Sequence, residues 1–265
     1  LGVDVQLSLS GKVALVTGAS GGLGGAIAAA LAEEGMVLAL VGRDRDKLAA
    51  VGANVEKLSG VTPIVISADL TQPDAADECV AATIAATGRL DLLVTCAGAT
   101  RRGDFFELSD QDWADGFALK FHGCVRACRA AWPHLVAQRG SVINIVGVGS
   151  RTPSMDFLIG GSVNNALLNF TKGLAERGSA DGVRVNAINP GYFRTARIAA
   201  WIDSLAQTHR VSHEQAESML LTKLDVQRLG RPEEVGRLTA FLASEQAAYI
   251  HGATLDIDGG ATRGL

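Results

Sequence analysis

"TGASGGLG", Thr17 to Gly24, follows the apolar run "KVALV" directly and opens the Ala-rich stretch "GLGGAIAAALAEEG". Glycines at a strand-to-helix turn let backbone approach a pyrophosphate, and the free N–H groups and positive dipole end of the next helix hold it. Taken alone, such glycines also suit a plain tight turn. Their place in a first β–α–β unit favours the phosphate-binding use.

Outward from that turn the pattern repeats. "MVLALVG", "TPIVISA", "LDLLVTC", "GSVINIV", "VRVNAI" and "ATLDID" are further strand candidates, separated by helix-forming stretches. Strands alternating with helices predict parallel pairing. Runs that are apolar throughout predict strands covered on both faces. The expected fold is α/β, a Rossmann-type doubly wound parallel sheet of about seven strands, in a single domain over 1–265. A chain of 265 residues, 48% hydrophobic and 20% charged, can bury one such core. Residues 195–230, "TARIAAWIDSLAQTHRVSHEQAESMLLTKLDVQRLG", predict a helical insertion before the last strand. Insertions at strand carboxyl ends commonly form lids over ligand crevices.

A formal net charge of -4 offers no basic patch for a phosphate backbone, so nucleic acid is not expected as a partner and a small-molecule substrate is. Cys79, Cys96, Cys124 and Cys128 lack zinc-ribbon spacing and read as buried thiols of a reducing compartment. Cys124 and Cys128 share a helix face, which reads as packing. His209 and His213 share one helix face at i, i+4 without an acidic or cysteine ligand at metal spacing, so they read as an exposed helix face and no metal is expected. The N-terminal "LGVDVQLSLSGK" shows no basic region followed by an apolar run, and no stretch is long and apolar enough for a membrane span. The expectation is a cytoplasmic protein.

"TGASGGLG" resembles the TGxxxGxG motif of the short-chain dehydrogenases/reductases, and the likeness extends along nearly the whole chain. "ADL" at 68–70 matches the family's adenine-contacting Asp, "TCAG" at 95–98 its NNAG, and "NPGYFRT" at 189–195 its PGxxxT. "RLGRPEEVGRLTAFLAS" and "LDIDGG" match its C-terminal signature. The resemblance implies an oxidoreductase using a nicotinamide dinucleotide on a carbonyl or alcohol. It implies Gly18, Ser20, Gly22, Leu23 and Gly24 around the pyrophosphate and adjoining ribose, Asp69 and Leu70 at the adenine, and Ala97 and Gly98 on the adenosine ribose side. Pro190, Gly191 and Thr195 would border the nicotinamide. Thr95 and Cys96 depart from the two asparagines of the family motif. The helices around 110–137 and 160–178 typically pair subunits in this family, which implies a homodimer or homotetramer.

Cofactor choice turns on the end of the second strand. An acidic residue there would bind the ribose 2′-OH of NAD, whereas arginine pairs with the 2′-phosphate of NADP. Gly42 holds the acidic position and Arg43 follows it, so NADP is expected, with NAD as the alternative. Gly21 stands where many NADP-using relatives carry a basic residue.

In this family a Tyr moves the substrate's proton, a Lys four residues later lowers its pKa, a Ser polarises the carbonyl and an Asn on a preceding helix holds a relay water. A free phenol titrates at ~10 and needs that help. "LNFTKGLA" places the tyrosine position at Gly160 and the lysine position at Asn164; "INIVGVGS" places the serine position at Gly147, and "WADGFALKFHG" the asparagine position at Lys120. All four types are replaced, and Gly160 is expected to open volume beside the nicotinamide. Lys120 alone adds a functional group and is the candidate catalytic residue. Ser150, Ser154, Asp156, Ser162, Tyr192 and Arg194 are expected at the same crevice as ordinary polar residues or caps. Three readings stay open: an NADP(H)-dependent oxidoreductase with a rebuilt proton relay, a non-redox enzyme using Lys120 as base or Schiff-base nucleophile, and a binding or regulatory protein holding a dinucleotide without turnover.

Overall fold

Val13–Thr17 is buried at every residue and forms β1 of the computed structural model, which describes residues 6–263. The first five residues of the N-terminal stretch read above lie outside that range. β2 (Val37–Gly42), β3 (Ile64–Ser67), β4 (Leu92–Thr95), β5 (Ser141–Ile145), β6 (Arg184–Pro190) and β7 (Thr254–Ile257) join β1 in one parallel sheet, ordered β3-β2-β1-β4-β5-β6-β7. β4 and β5 are buried throughout like β1, because helices cover both faces, whereas edge strand β3 alternates between half-buried and exposed residues. One face packs Ile27 and Leu31 of α1 (Gly22–Glu33) against Val235 and Leu242 of α9 (Pro232–Ala243). The other packs Val80 of α3 (Ala75–Thr87), Cys128 and Leu135 of α5 (Gly123–Gln138), and Leu167 of α6 (Leu158–Asp181). The strand order reverses between β1 and β4, which places a ligand crevice at their carboxyl ends.

α2 (Arg45–Ser59) starts where the Asp44 carboxylate accepts from the Lys47 N–H at 3.1 Å. The long helical stretch near 110–137 is not continuous. α4 (Asp110–Phe117) passes through a π-turn, Ala118–His122, before α5 begins, and Lys120 sits at the centre of that turn. Such turns frequently mark functional sites.

The segment before β7 forms α7 (Ala196–His209) and α8 (His213–Leu224), which enclose a small core of Ile198, Ile202, Ala216, Leu220 and Leu229. His209 closes α7 and His213 opens α8, with Arg210 between them at φ 54, so the two histidines do not share a helix face. Among the described residues no cluster of His, Cys, Asp or Glu could hold a metal, and no helix is long and apolar enough to cross a membrane. Cys79, Cys124 and Cys128 are buried free thiols, and Cys96 is half-buried.

Candidate active site

At the carboxyl end of β1, Gly18 takes φ +68, and a Cβ on it would lie 2.7 Å from the backbone N and Cα of Ala97. The glycine turn and the "TCAG" turn therefore touch, and Gly18 has no room for a side chain between them. Thr17 stitches the same junction: its Oγ1 accepts from the N–H groups of Cys96 at 3.1 Å and Ala97 at 3.2 Å. A Cβ on Gly24 would run into the Gly18 carbonyl, and one on Gly22 would lie 2.9 Å from Cγ2 of Thr195. α1 thus begins at Gly22 with no side-chain cap, and half-buried Leu23 follows within its first turn. The orphan N–H groups there are free for an anion. Gly191 follows Pro190, the last residue of β6, and lies so close to Asp258 that its Cβ would fall 2.8 Å from that residue's Cα.

Towards the β3 edge, a Cβ on Gly42 would lie 2.8 Å from the Ser20 hydroxyl, so an acidic side chain at the strand tip has no seat while Ser20 holds its place. Arg43 is exposed beside it. Asp69 is half-buried, with its carboxylate accepting from the Thr71 N–H at 3.1 Å, and it borders a depression of about 380 Å³ lined by Ser67, Ala68, Gln72 and Pro73. Leu70 is buried, and its carbonyl accepts from Arg126 at 3.3 Å.

The floor beyond β5 is built differently from a hydroxyl-bearing one. The stem of Lys120 crosses Gly98, where a Cβ would lie 2.8 Å from its Cδ, and the ammonium donates to the Val146 carbonyl at 2.6 Å. Burial, with the charge of Arg197 adding to it, pulls the Lys120 ammonium down to about 8. Burial pushes the neighbouring Cys96 thiol up to about 11, so it supplies no thiolate partner. Gly147 takes φ +139, a conformation that a serine adopts only under strain. Its N–H donates to the buried Asn189 Oδ1 at 2.9 Å. Asn164 is 2% exposed, its Nδ2 lies 3.1 Å from where a Gly147 Cβ would stand, and its Oδ1 has no hydrogen-bond partner.

Gly160 does not open volume. A Cβ on it would coincide with the ring of Phe157, which also lies 2.8 Å from the Cβ position of Gly149. The Phe157 ring fills the space expected to stand empty, because glycine at both 149 and 160 leaves room for it. Arg102 stacks on its outer face at 4.1 Å, pairs with Asp156 at 3.0 Å, and lies 5.6 Å from the Trp201 ring of α7. Tyr192 packs against Trp201 with ring centroids 6.1 Å apart. Burial raises the Tyr192 phenol further, which suits an apolar wall more than an acid.

The remaining polar candidates, Ser162 apart, are committed to structure. Ser150 donates to the Gly147 carbonyl at 2.9 Å, Ser154 donates to Asp156, Ser162 is exposed, and Arg194 pairs with Glu217. Thr17, Asn189, Phe157, Arg102 and Trp201 were not singled out in the sequence. Thr17 and Asn189 carried a signal there, as the first residue of the TGxxxGxG-like turn and as the residue before Pro190 and Gly191.

The family profile described as enoyl-(acyl carrier protein) reductase matches residues 18–262. Glucose 1-dehydrogenase from Gluconobacter oxydans (strain 621H) is 33% identical over 255 residues, 96% of this chain and 92% of that protein. NADPH-dependent reductase BacG from Bacillus subtilis (strain 168) is 28% identical over 260 residues, 97% of this chain and 100% of that one. The structure of L-sorbose reductase from Gluconobacter frateurii, complexed with NADPH and L-sorbose, matches with a TM-score of 0.91 at 30% identity, over 98% of this chain and all of that one. With its parallel seven-stranded sheet and its glycine turn packed on the β4 loop, the chain belongs to the short-chain dehydrogenase/reductase family of oxidoreductases.

Proposed function

We propose that the chain is an NADP(H)-dependent oxidoreductase that interconverts a carbonyl and an alcohol, with the Lys120 ammonium as the proton donor. The observation that carries this reading is the Lys120 amine, held on the crevice floor by Val146 and brought down to about 8. The dinucleotide fits the residues present: the uncapped start of α1 suits the pyrophosphate, and no carboxylate stands at the tip of β2, where Arg43 is free to meet a 2′-phosphate. The L-sorbose reductase holding NADPH and the NADPH-dependent reductase among the relatives support the same choice.

When bound, the cofactor supplies the hydride. The chain's part is to exclude water with Phe157 and Trp201, to hold an ammonium at the reacting oxygen, and to release its proton as the carbonyl is reduced. The amine left behind takes a proton back from solvent, and in the oxidative direction it removes one from the alcohol. An amine at about 8 is matched to this work near neutrality, where an ordinary lysine is too weak an acid. The family's ammonium and amide are then both retained, with their helices exchanged: lysine on the π-turn and asparagine on α6. The missing pieces are the two hydroxyls. In keeping with the family, the protein is read as a homodimer or homotetramer, paired through α5 and α6.

Titration with both cofactors, followed by nicotinamide absorbance against a carbonyl panel, tests the reading. NADPH is expected to bind more tightly than NADH, and Arg43→Ala should remove about 1.5 to 3 kcal/mol of that preference. Equal affinities in the wild type would remove Arg43 as the phosphate reader. The Phe157 ring over Gly160 favours a second reading, a protein that binds the dinucleotide without turnover. Tight NADPH binding with no oxidation of the bound cofactor by any carbonyl would select it.

A further inference from the structure

Lys120 and Asn164 reach adjoining residues of the turn after β5. The ammonium spends one of its three N–H groups on the Val146 carbonyl. The Asn164 amide lies against the next residue, 3.1 Å from the Cβ position of Gly147 and 3.3 Å from that of Gly149. Side chains at either glycine would close on that amide. Its Oδ1 is buried without a donor, and a buried polar atom left unpaired in a folded protein points to a ligand or an ordered water. The floor therefore offers two further N–H groups on Lys120 and, against the adjoining residue, an amide whose Oδ1 acceptor is unpaired. A carbonyl oxygen alone uses only the donors. A carbonyl with a hydroxyl on the adjacent carbon uses the acceptor as well, because both oxygens accept from the ammonium while the hydroxyl donates to the Asn164 Oδ1.

We propose that Lys120 and Asn164 together grip such a pair, which makes α-hydroxycarbonyl compounds the substrate class. The proposal rests on the reading of Lys120 as proton donor and adds Asn164 as the residue that recognises the neighbouring hydroxyl. The reaction balances as hydride from NADPH to the carbonyl carbon and a proton from Lys120 to its oxygen, giving a vicinal diol and NADP+. The neighbouring hydroxyl is bound and left unchanged.

Acetoin and butanone share a carbon skeleton and differ by that one hydroxyl. The wild type should favour acetoin in kcat/KM by at least about tenfold, since a site built to bond a hydroxyl discriminates strongly against its absence. Asn164→Leu should bring the ratio close to one, chiefly through KM, while calorimetric NADP+ affinity stays unchanged. The reciprocal variant Lys120→Asn/Asn164→Lys returns an ammonium and an amide to the floor and should recover at least about tenfold of the turnover lost in Lys120→Asn, which a merely structural role for either residue does not produce. Equal handling of acetoin and butanone by the wild type, absence of turnover of both included, overturns the proposal. So does a loss of NADP+ affinity in Asn164→Leu, which would give the amide to the cofactor's ribose. Full activity in Lys120→Met is a different failure, that of the proton-donor reading itself.

Discussion

Lys120→Met lowers carbonyl reduction by roughly 10² to 10⁴, the usual worth of a general acid. Methionine keeps an apolar stem over Gly98 and removes only the ammonium, so the loss reports on the proton and not on packing. The pH profile carries the sign. Reduction needs the charged form, so at saturating NADPH the wild-type rate is flat below about 8 and falls above it. Oxidation needs the neutral amine and rises through the same value. A melting curve separates the two roles of the residue. The folded-state value of Lys120 lies below the ordinary lysine value of 10.5, so its penalty on folding is absent above that value, grows as pH falls, and is complete below about 8. At pH 7 the methionine variant should therefore melt no lower than the wild type. A variant that retains the wild-type rate and profile would take Lys120 out of the chemistry.

Much of this arrangement was legible in the letters of the chain, and for identifiable reasons. Runs such as Val13 to Val16 are apolar at every position because both faces are covered, and that pattern needs no tertiary information to be read. The glycine turn was legible because its cause is local: Gly18 needs a positive φ. What escaped is non-local. Phe157 has no periodic or motif context, and its place over Gly160 follows from the path of the loop after β5. Arg102 reads as a surface arginine until Asp156 and Phe157 from one loop and Trp201 from α7 arrive to hold it. The histidines failed for the opposite reason. Spacing suggested one helix face, but a left-handed residue at Arg210 ends the helix between them. At Gly147 the letters read as a missing hydroxyl, while the structure shows a backbone in a conformation favouring glycine.

That backbone governs what happens when tyrosine and lysine are placed at 160 and 164, the positions the resemblance implies for them. Gly160→Tyr alone should not restore anything, because the new Cβ collides with the Phe157 ring, and overpacking of this kind destabilises by about 1 to 3 kcal/mol. The ring is also pinned from outside by Arg102, so it does not swing away freely. Phe157→Ala clears the seat, and Phe157→Ala/Gly160→Tyr should recover most of the lost melting temperature. Adding Asn164→Lys supplies the charge that draws a phenol down from its ordinary value, and Lys120→Asn as a fourth change keeps two ammonium groups from crowding the same floor. In that background simple ketones such as butanone should be reduced faster than by Lys120→Asn alone, which lacks the acid, by up to roughly 10² of the 10² to 10⁴ that acid catalysis supplies. The remainder stays out of reach while Gly147 keeps φ +139, since a serine forced into that conformation strains the turn instead of presenting its hydroxyl. Steady-state rates and melting curves for the single, double and fourfold variants read the outcome. If Gly160→Tyr alone were stable and active, Phe157 would not be the plug that the packing makes it.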